Sequence, residues 1–299
     1  MARAISSSSP HSGTRPIVFE FATHSAVDRH VRSLVAAARE TLGGSLPGTR
    51  RQVAEGLGVG LREDSRIGRL IGMYDYSGPT ITINPTLWRD RVEFTFYHEI
   101  THHLLELDGS LISYLQDHVK DSPSHQRTIE RACNVGAAEF LVPHASVRTL
   151  AEQSNWDADL IRCVHGSFGA SWIATLLQIA SIAPHSCIAV VFGLEEDSHC
   201  SEETIWGTNA RLSISPVVLN SLSSNSMKYW LARGTLLPSD HPLFHSWMEG
   251  IDIDEHGYIP YKSGKRQPCR CVGLRRGGIV LGLLHAGTPV PIGQRRLFS

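Results

Sequence analysis

Two histidines and a glutamate with the spacing of a metal-dependent catalytic site occur in the segment FYHEITHHLL, residues 96–105. His98, Glu99 and His102 fit the pattern H-E-x-x-H, and on a helix the two histidines lie one turn apart, so both imidazoles can reach one Zn²⁺. Glu99 would take a proton from a water molecule acidified by the metal and pass it to the leaving amine of a peptide bond. The pattern therefore predicts a metallopeptidase centre, with the adjacent His103 at the surface or beside the ligands.

A catalytic zinc needs a third protein ligand. The metzincin extension would require glycine at 105 and histidine at 108, where the chain has Leu105 and Asp108. In RTIERACNVGAAEFLVP, Glu130 and Glu139 are nine residues apart, and at about 100° per residue they lie on opposite sides of a helix. Only one of them can face the metal. We predict Glu130, because its side carries mostly small residues that permit close helix approach; these are Cys133, Asn134, Ala137 and Ala138.

Asn134 lies one helical turn after Glu130. We expect its amide to hydrogen-bond a metal ligand and so to orient it. The alternative for Glu130 is a solvated carboxylate on the helix surface, since charged helix residues are usually exposed.

Helices and one short strand are predicted around the motif. Apolar residues at helical spacing predict helices at 27–42, 91–107 and 126–141, and an irregular loop is expected between the last two. GPTITINP, residues 78–85, alternates isoleucine with threonine and predicts a strand. This strand is either ordinary core structure or an exposed edge to which an extended substrate can pair.

Two short helices are predicted around HGSFGA, at 157–164 and 171–179. Such a pair could present a recognition helix to DNA, but ADLIRCVHGSFGASWIATLLQIA contains Arg162 as its single Lys or Arg, where phosphate contacts normally use several. The composition therefore disfavours direct DNA binding. Beyond Pro184, apolar runs alternate with Gly, Pro and Ser turns, which indicates a second domain of mixed α/β type.

Composition excludes several classes of protein. The 28 Lys and Arg residues nearly balance the 29 Asp and Glu residues among 299, so the net charge gives no argument for nucleic-acid or membrane binding. No signal peptide and no stretch of about 18 apolar residues is evident, which predicts a cytoplasmic protein without membrane association. Six cysteines are too few for a disulfide scaffold, and CRC, residues 269–271, is a candidate metal or redox pair.

The segments GMYDY, TITINP, RVEFTFYHEITHHLLELDG and IERACNVGAAEFLVP, within about 72–143, together resemble the ImmA/IrrE family of zinc-dependent metallopeptidases. MKYWLARGTLLPSDHP and YIPYKSGKR resemble the C-terminal part of its regulatory branch. The resemblance implies an α+β fold: a helical gluzincin-like metallopeptidase domain at 17–150 after a disordered N-terminus at 1–16, a helix-turn-helix-like segment at 151–184, and a C-terminal GAF-like α/β domain at 185–299.

The same resemblance implies His98, His102 and Glu130 as metal ligands and Glu99 as the catalytic acid and base. It also implies an XRE-type helix-turn-helix repressor as substrate, DdrO in the radiation-response case, whose cleavage would release DNA-repair and stress genes from repression. Zn²⁺ is expected, although two histidines and a carboxylate can also hold Mn²⁺. The alternative is a non-catalytic DNA-binding transcription regulator with a structural metal site, which would have no use for Glu99. Nothing in the pattern favours one oligomeric state.

Overall fold

A computed structural model of the protein describes residues 24–44, 46, 48–67, 71–86, 88–119, 121–194 and 215–287, and the N-terminus predicted to be disordered lies outside them. The described residues form two compact units. The first unit comprises the described residues before Trp88 together with Thr95–Ala137. The second comprises Trp88–Phe94 and the described residues from Ala138 onward.

The elements of the first half of the chain include a small sheet and five helices among the described residues. They are α1 (His24–Thr41), α2 (Arg50–Gly56), β1 (Gly60–Glu63), β2 (Gly72–Asp75), β3 (Thr80–Ile83), α3 (Arg89–Asp108), α4 (Ser110–His118) and α5 (Ser122–Leu141). The sheet has the order β1-β3-β2, with β3 parallel to β1 and antiparallel to β2. The predicted strand is present, but the idea that it offers an exposed edge is wrong, because β3 is paired on both sides.

Helix α3 carries the H-E-x-x-H motif and is held by its apolar side. Phe96 and Ile100, one turn apart, are fully buried. The helix ends at Asp108 because Gly109 adopts a left-handed conformation with φ 66° and donates its N–H to the carbonyl of Leu105 at 2.9 Å. This positive φ requires a residue such as glycine, and it lets the chain turn directly into α4.

The irregular loop predicted after α3 is wrong, because residues 110–118 form α4. Leu111 and Leu115, one turn apart, are buried in a core that also contains Val27 and Val31 of α1. The sequence around this helix is rich in Gly, Ser and Asp, and these turn-forming residues obscured the short apolar face. Helix α5 then begins after Asp121, whose carboxylate accepts the N–H of Ser124 at 2.8 Å.

The second unit contains a five-stranded sheet of order β5-β4-β8-β7-β6 in which all neighbours are antiparallel. Helices α6 to α8 pack on one face of this sheet and α9 packs on the other. Its elements are α6 (His144–Glu152), α7 (Ala158–Phe168), α8 (Trp172–Ile182), β4 (Cys187–Gly193), β5 (Val217–Ser223), α9 (Pro242–Glu249), β6 (Ile253–Pro260), β7 (Arg266–Arg276) and β8 (Ile279–Ala286). The α+β class is therefore confirmed, while the GAF-like and helix-turn-helix-like assignments and the domain limits stay predictions.

The α7–α8 pair packs as part of the second unit. Leu176 and Ile179 of α8 are fully buried in the core with the sheet. Arg162 of α7 forms ion pairs with Asp159 at 2.6 Å and with Asp252. Within the described residues no single helix is long and apolar enough to cross a membrane; α7 and α8 reach that threshold only jointly, with a bend of 117° between them.

Candidate metal centre

The two histidines of the motif lie on successive turns of α3, with ring centroids 5.0 Å apart. The Nδ1 of His98 donates to the side-chain oxygen of Asn134 at 3.1 Å, since an amide oxygen can only accept. The hydrogen bond expected from Asn134 is therefore present. The Nε2 of His98 then carries the lone pair of the ring, which is the form of imidazole that binds metal.

His102 is oriented in a similar way by a residue that follows β2. The hydroxyl of Tyr76 lies 3.1 Å from the Nδ1 of His102. Burial and, to a smaller extent, the neighbouring His98 lower the pKa of His102 to about 4 against the opposing charge of Glu130, so the ring is neutral near pH 7. No spacing pattern pointed to Tyr76, which is 26 residues from His102 and is brought to it by the packing of β2.

Glu130 of α5 faces both imidazoles. Its carboxylate oxygens lie 3.2 Å from the Nε2 of His98 and 3.8 Å from the Nε2 of His102. Glu139, the competing candidate, accepts the backbone N–H of His144 at 3.0 Å, at the start of α6. Two imidazole nitrogens and one carboxylate therefore converge as three donors that fit a divalent cation.

Glu99 is buried beside these donors, with 8% of its surface exposed. Burial and, to a smaller extent, the charge of Glu130 raise the pKa of Glu99 to about 7, against an opposing hydrogen bond from the backbone of Tyr74. A carboxyl group with a pKa near neutrality can both accept and release a proton at physiological pH.

Close approach of backbone to α3 depends on two glycines. A Cβ on Gly72 of β2 would lie 2.4 Å from Thr95 Cγ2 and 3.2 Å from Glu99 Oε1. A Cβ on Gly136 of α5 would lie 2.4 Å from the Cγ2 and Oγ1 of Thr101. The 2.4 Å distances are well inside van der Waals contact. The absence of a side chain at each glycine therefore lets β2 and α5 approach the motif helix.

Comparison with known proteins identifies the family. The profile of the IrrE N-terminal-like domain matches residues 50–177. The radiation response metalloprotease IrrE of Deinococcus deserti is 30% identical over 214 residues, which cover 68% of this chain and 69% of that protein. The chain belongs to the ImmA/IrrE family of metallopeptidases. The radiation response metalloprotease IrrE of Deinococcus radiodurans is 28% identical over 219 residues, covering 70% of this chain and 63% of its own length.

One solved structure shares the fold of this ImmA/IrrE family member. It is described as a Mycobacterium tuberculosis transcriptional regulator, and it matches with a TM-score of 0.55 over 86% of this chain and 80% of its own. Its sequence identity is 13%, so the likeness concerns the fold alone.

Cys133 was predicted only to be a small residue that allows helix packing. In this family member the Sγ of Cys133 and one nitrogen each of His98 and His102 all lie within 4.8 Å of one another. Burial raises the pKa of the Cys133 thiol, and the charges of Glu130 and Glu99 add to the rise. The spacing of three residues from Glu130, which puts both on one side of α5, was the signal that could have revealed it.

The structure also shows the surroundings of His103 and of the cysteine pair in CRC. His103 is buried, with its Nδ1 2.9 Å from the hydroxyl of Tyr74 and its Nε2 3.2 Å from the carbonyl of Leu57, so the surface alternative for it is wrong. The sulfurs of Cys269 and Cys271 are 3.5 Å apart on one side of β7, and both cysteines are free.

Replacing Glu130 with alanine is expected to weaken metal binding at least about tenfold, because it removes the carboxylate that faces both Nε2 atoms. Titration calorimetry of the metal-stripped protein with Zn²⁺ would measure this. Glu139→Ala is the matched control on the same helix; it should keep the affinity and lower the thermal stability, because it removes the acceptor at the start of α6. Wild-type affinity in Glu130→Ala would exclude Glu130 as a ligand.

Replacing Gly136 with alanine is expected to lower the free energy of unfolding by about 1 to 3 kcal/mol through overpacking against Thr101. This loss exceeds the gain of about 1 kcal/mol from better helix propensity. Gly166→Ala on α7 is the control, since no atom lies within 4 Å of the added Cβ, and it should stabilise the protein by about 0.5 to 1 kcal/mol. Urea unfolding of both variants tests the argument, and equal shifts would contradict it.

Proposed function

We propose that this protein is a zinc-dependent endopeptidase that cleaves an XRE-type helix-turn-helix repressor, of the DdrO kind, and so induces DNA-damage and stress-response genes. The observation that carries the peptidase proposal is the buried carboxyl of Glu99 beside two imidazoles that both face Glu130. Membership of a family whose relatives are named radiation response metalloproteases supports the regulatory setting.

His98, His102 and Glu130 would hold the metal. When bound, a divalent cation supplies Lewis-acid polarisation of the peptide carbonyl and makes water more acidic. Glu99 takes the proton of the attacking water at its carboxylate and releases it to the leaving amine, a double role that suits a pKa of about 7. Asn134 and Tyr76 hold the two imidazole rings in orientation throughout.

The choice of zinc rests on the donor set. Two imidazoles and a carboxylate suit either Zn²⁺ or Mn²⁺, but the sulfur of Cys133 lies beside the two histidines. Sulfur donors favour zinc over manganese, which prefers oxygen ligands. A cytoplasmic location would fit a repressor substrate.

An extended substrate segment would pair with β2 rather than with β3. Strand β2 is at the edge of the three-stranded sheet, and its Gly72 lies against Glu99. A peptide added to this edge would be fixed by backbone hydrogen bonds close to the proton-transferring carboxyl. A repressor would then be cut within a segment that can become extended.

The alternative, a non-catalytic regulator that contacts DNA through α7 and α8, has less support. Residues Leu176 and Ile179 of α8 are buried against the sheet, and Arg162 is engaged by Asp159 and Asp252. A recognition helix needs side chains free to enter a groove of DNA.

The proposal is tested by incubating the full chain with an XRE-type repressor encoded in the same genome, with Zn²⁺, with Mn²⁺ and with a chelator. Mass spectrometry would read the fragments. We expect one pair of fragments with metal and intact repressor with the chelator. Intact repressor at full metal occupancy, together with a shift of operator DNA by the protein alone, would overturn the proposal in favour of the DNA-binding regulator.

A further inference from the structure

A second group of metal-ligating side chains occurs within the second unit, and none of its members belongs to the H-E-x-x-H centre. It consists of His185, Cys187 and His285, whose donor atoms all lie within 4.8 Å of one another. The Nε2 of His185 is 2.7 Å from the Nδ1 of His285. Two imidazoles and a thiol at this separation are the donor types that bind zinc in proteins.

The sheet itself brings these residues together. Cys187 begins β4 and is the direct antiparallel partner of His285 on β8, so the two side chains lie on the same face. His185 lies two residues before Cys187, in the connection between α8 and β4. Two of the three residues are therefore held by a paired strand register, and regular elements position ligands more precisely than loops do.

The environment suits a cation despite one nearby positive charge. Arg270 is the neighbour of His285 on β7, but its guanidinium donates to both carboxylate oxygens of Asp254, at 2.7 and 2.5 Å. This bidentate pair compensates its charge. Cys187 is a buried free cysteine, and His185 is half-buried, which leaves an approach from solvent.

Both rings have a nitrogen available for metal. The Nε2 of His185 and the Nδ1 of His285 face each other, so one ion placed between the rings can reach both. The Nε2 of His285 is buried with no hydrogen-bond partner among the described residues, while the backbone of Trp156 lies beside the ring. A metal on Nδ1 would leave Nε2 to carry the proton, next to a backbone that can accept it.

We propose that His185, Cys187 and His285 form a second metal site, which binds Zn²⁺. Zinc bonds of about 2.0 to 2.3 Å in a tetrahedron place donors roughly 3.3 to 3.8 Å apart. Small rotations of the two imidazoles, which exchange their mutual hydrogen bond for the metal, reach this spacing. The Cys187 thiol gives its proton to solvent on binding. The bound ion cross-links the α8–β4 connection to β8 and stabilises the second unit.

The test uses the full chain with His98→Ala and His102→Ala, which removes the predicted catalytic ligands. After metal removal this protein is titrated with Co²⁺, whose thiolate complexes give a charge-transfer absorption. We expect about one Co²⁺ per chain with that absorption, and a higher melting temperature with Zn²⁺. Adding Cys187→Ser should abolish both effects, whereas adding Cys163→Ser, at an exposed free cysteine, should change neither.

A cobalt–thiolate absorption that persists in Cys187→Ser, or one absent before that substitution, would overturn the proposal. If Cys187→Ser fails to fold, His185→Gln at the half-buried position replaces it, with folding checked by circular dichroism. Affinity at least about tenfold lower is then expected, and unchanged affinity would exclude the site. These measurements need no peptidase activity, so they stand apart from the fate of the proposed function.

Discussion

Substitution of Glu99 by glutamine is expected to slow peptide hydrolysis by about 10²- to 10⁴-fold, the usual contribution of a positioned acid and base. Glutamine has nearly the same shape, and its oxygen can still accept the hydrogen bond from the backbone of Tyr74. It cannot carry the proton. The metal affinity should stay within a few-fold of wild type, because His98, His102 and Glu130 are unchanged.

The measurement is the single-turnover rate of repressor cleavage at matched metal content, read by mass spectrometry. Glu55→Gln, at an exposed position on α2, is the control for loss of a carboxylate and should leave the rate unchanged. A Glu99→Gln enzyme that holds its metal and cleaves at the wild-type rate would remove Glu99 from the chemistry. It would then favour a different proton acceptor.

The parts of the centre that could be predicted from the sequence are those set by local helix geometry. His98 and His102 are one turn apart on α3. Glu130 and Glu139 lie 180° apart on α5, and the small residues on the side of Glu130 favoured it as the glutamate that approaches α3. The bond from Asn134 to His98 followed from the same face of α5. Helix periodicity determines which residues share a face of α3 or of α5, and it can be recognised in the sequence.

The parts that escaped prediction depend on pairing between distant segments. Tyr76 reaches His102 because β2 is at the edge of the small sheet, and strand order is not encoded in the alternation of TITIN. His185 and His285 are 100 residues apart in the chain and meet through the register of β4 with β8. Such contacts follow from tertiary packing, for which spacing along one chain carries no signal.

The raised pKa of Glu99 is expected to make the stability of the metal-free protein depend strongly on pH. The pKa of Glu99 is about 7 in the folded state, against an ordinary value of 4.5 for the unfolded chain. Between these two values the folded state holds a proton that the unfolded state has lost. Stability from this group is therefore greatest at low pH and is lost as pH rises through about 7.

Histidines with lowered pKa act in the opposite sense. The pKa is about 4 for His102 and His241 and about 3 for His285. Between these values and about 6.5 each histidine is neutral in the folded protein and protonated in the unfolded chain. These groups therefore add stability as the pH rises toward 6.5. The contribution of Glu99 must therefore be isolated as a difference between metal-free wild type and metal-free Glu99→Gln. In that difference the histidine contributions largely cancel.

Metal-free Glu99→Gln is expected to gain about 2 to 3 kcal/mol of stability relative to metal-free wild type when the pH is changed from 5 to 8, since each unit of pKa shift corresponds to about 1.4 kcal/mol. Urea unfolding of both proteins at the two pH values, in the presence of a chelator, measures this. The same comparison with saturating Zn²⁺ should show a smaller gain, because a nearby cation favours the charged carboxylate in the folded state. If the difference in unfolding free energy between the two proteins does not change with pH, Glu99 is already ionised at pH 5. Its proposed proton transfer would then need a different physical basis.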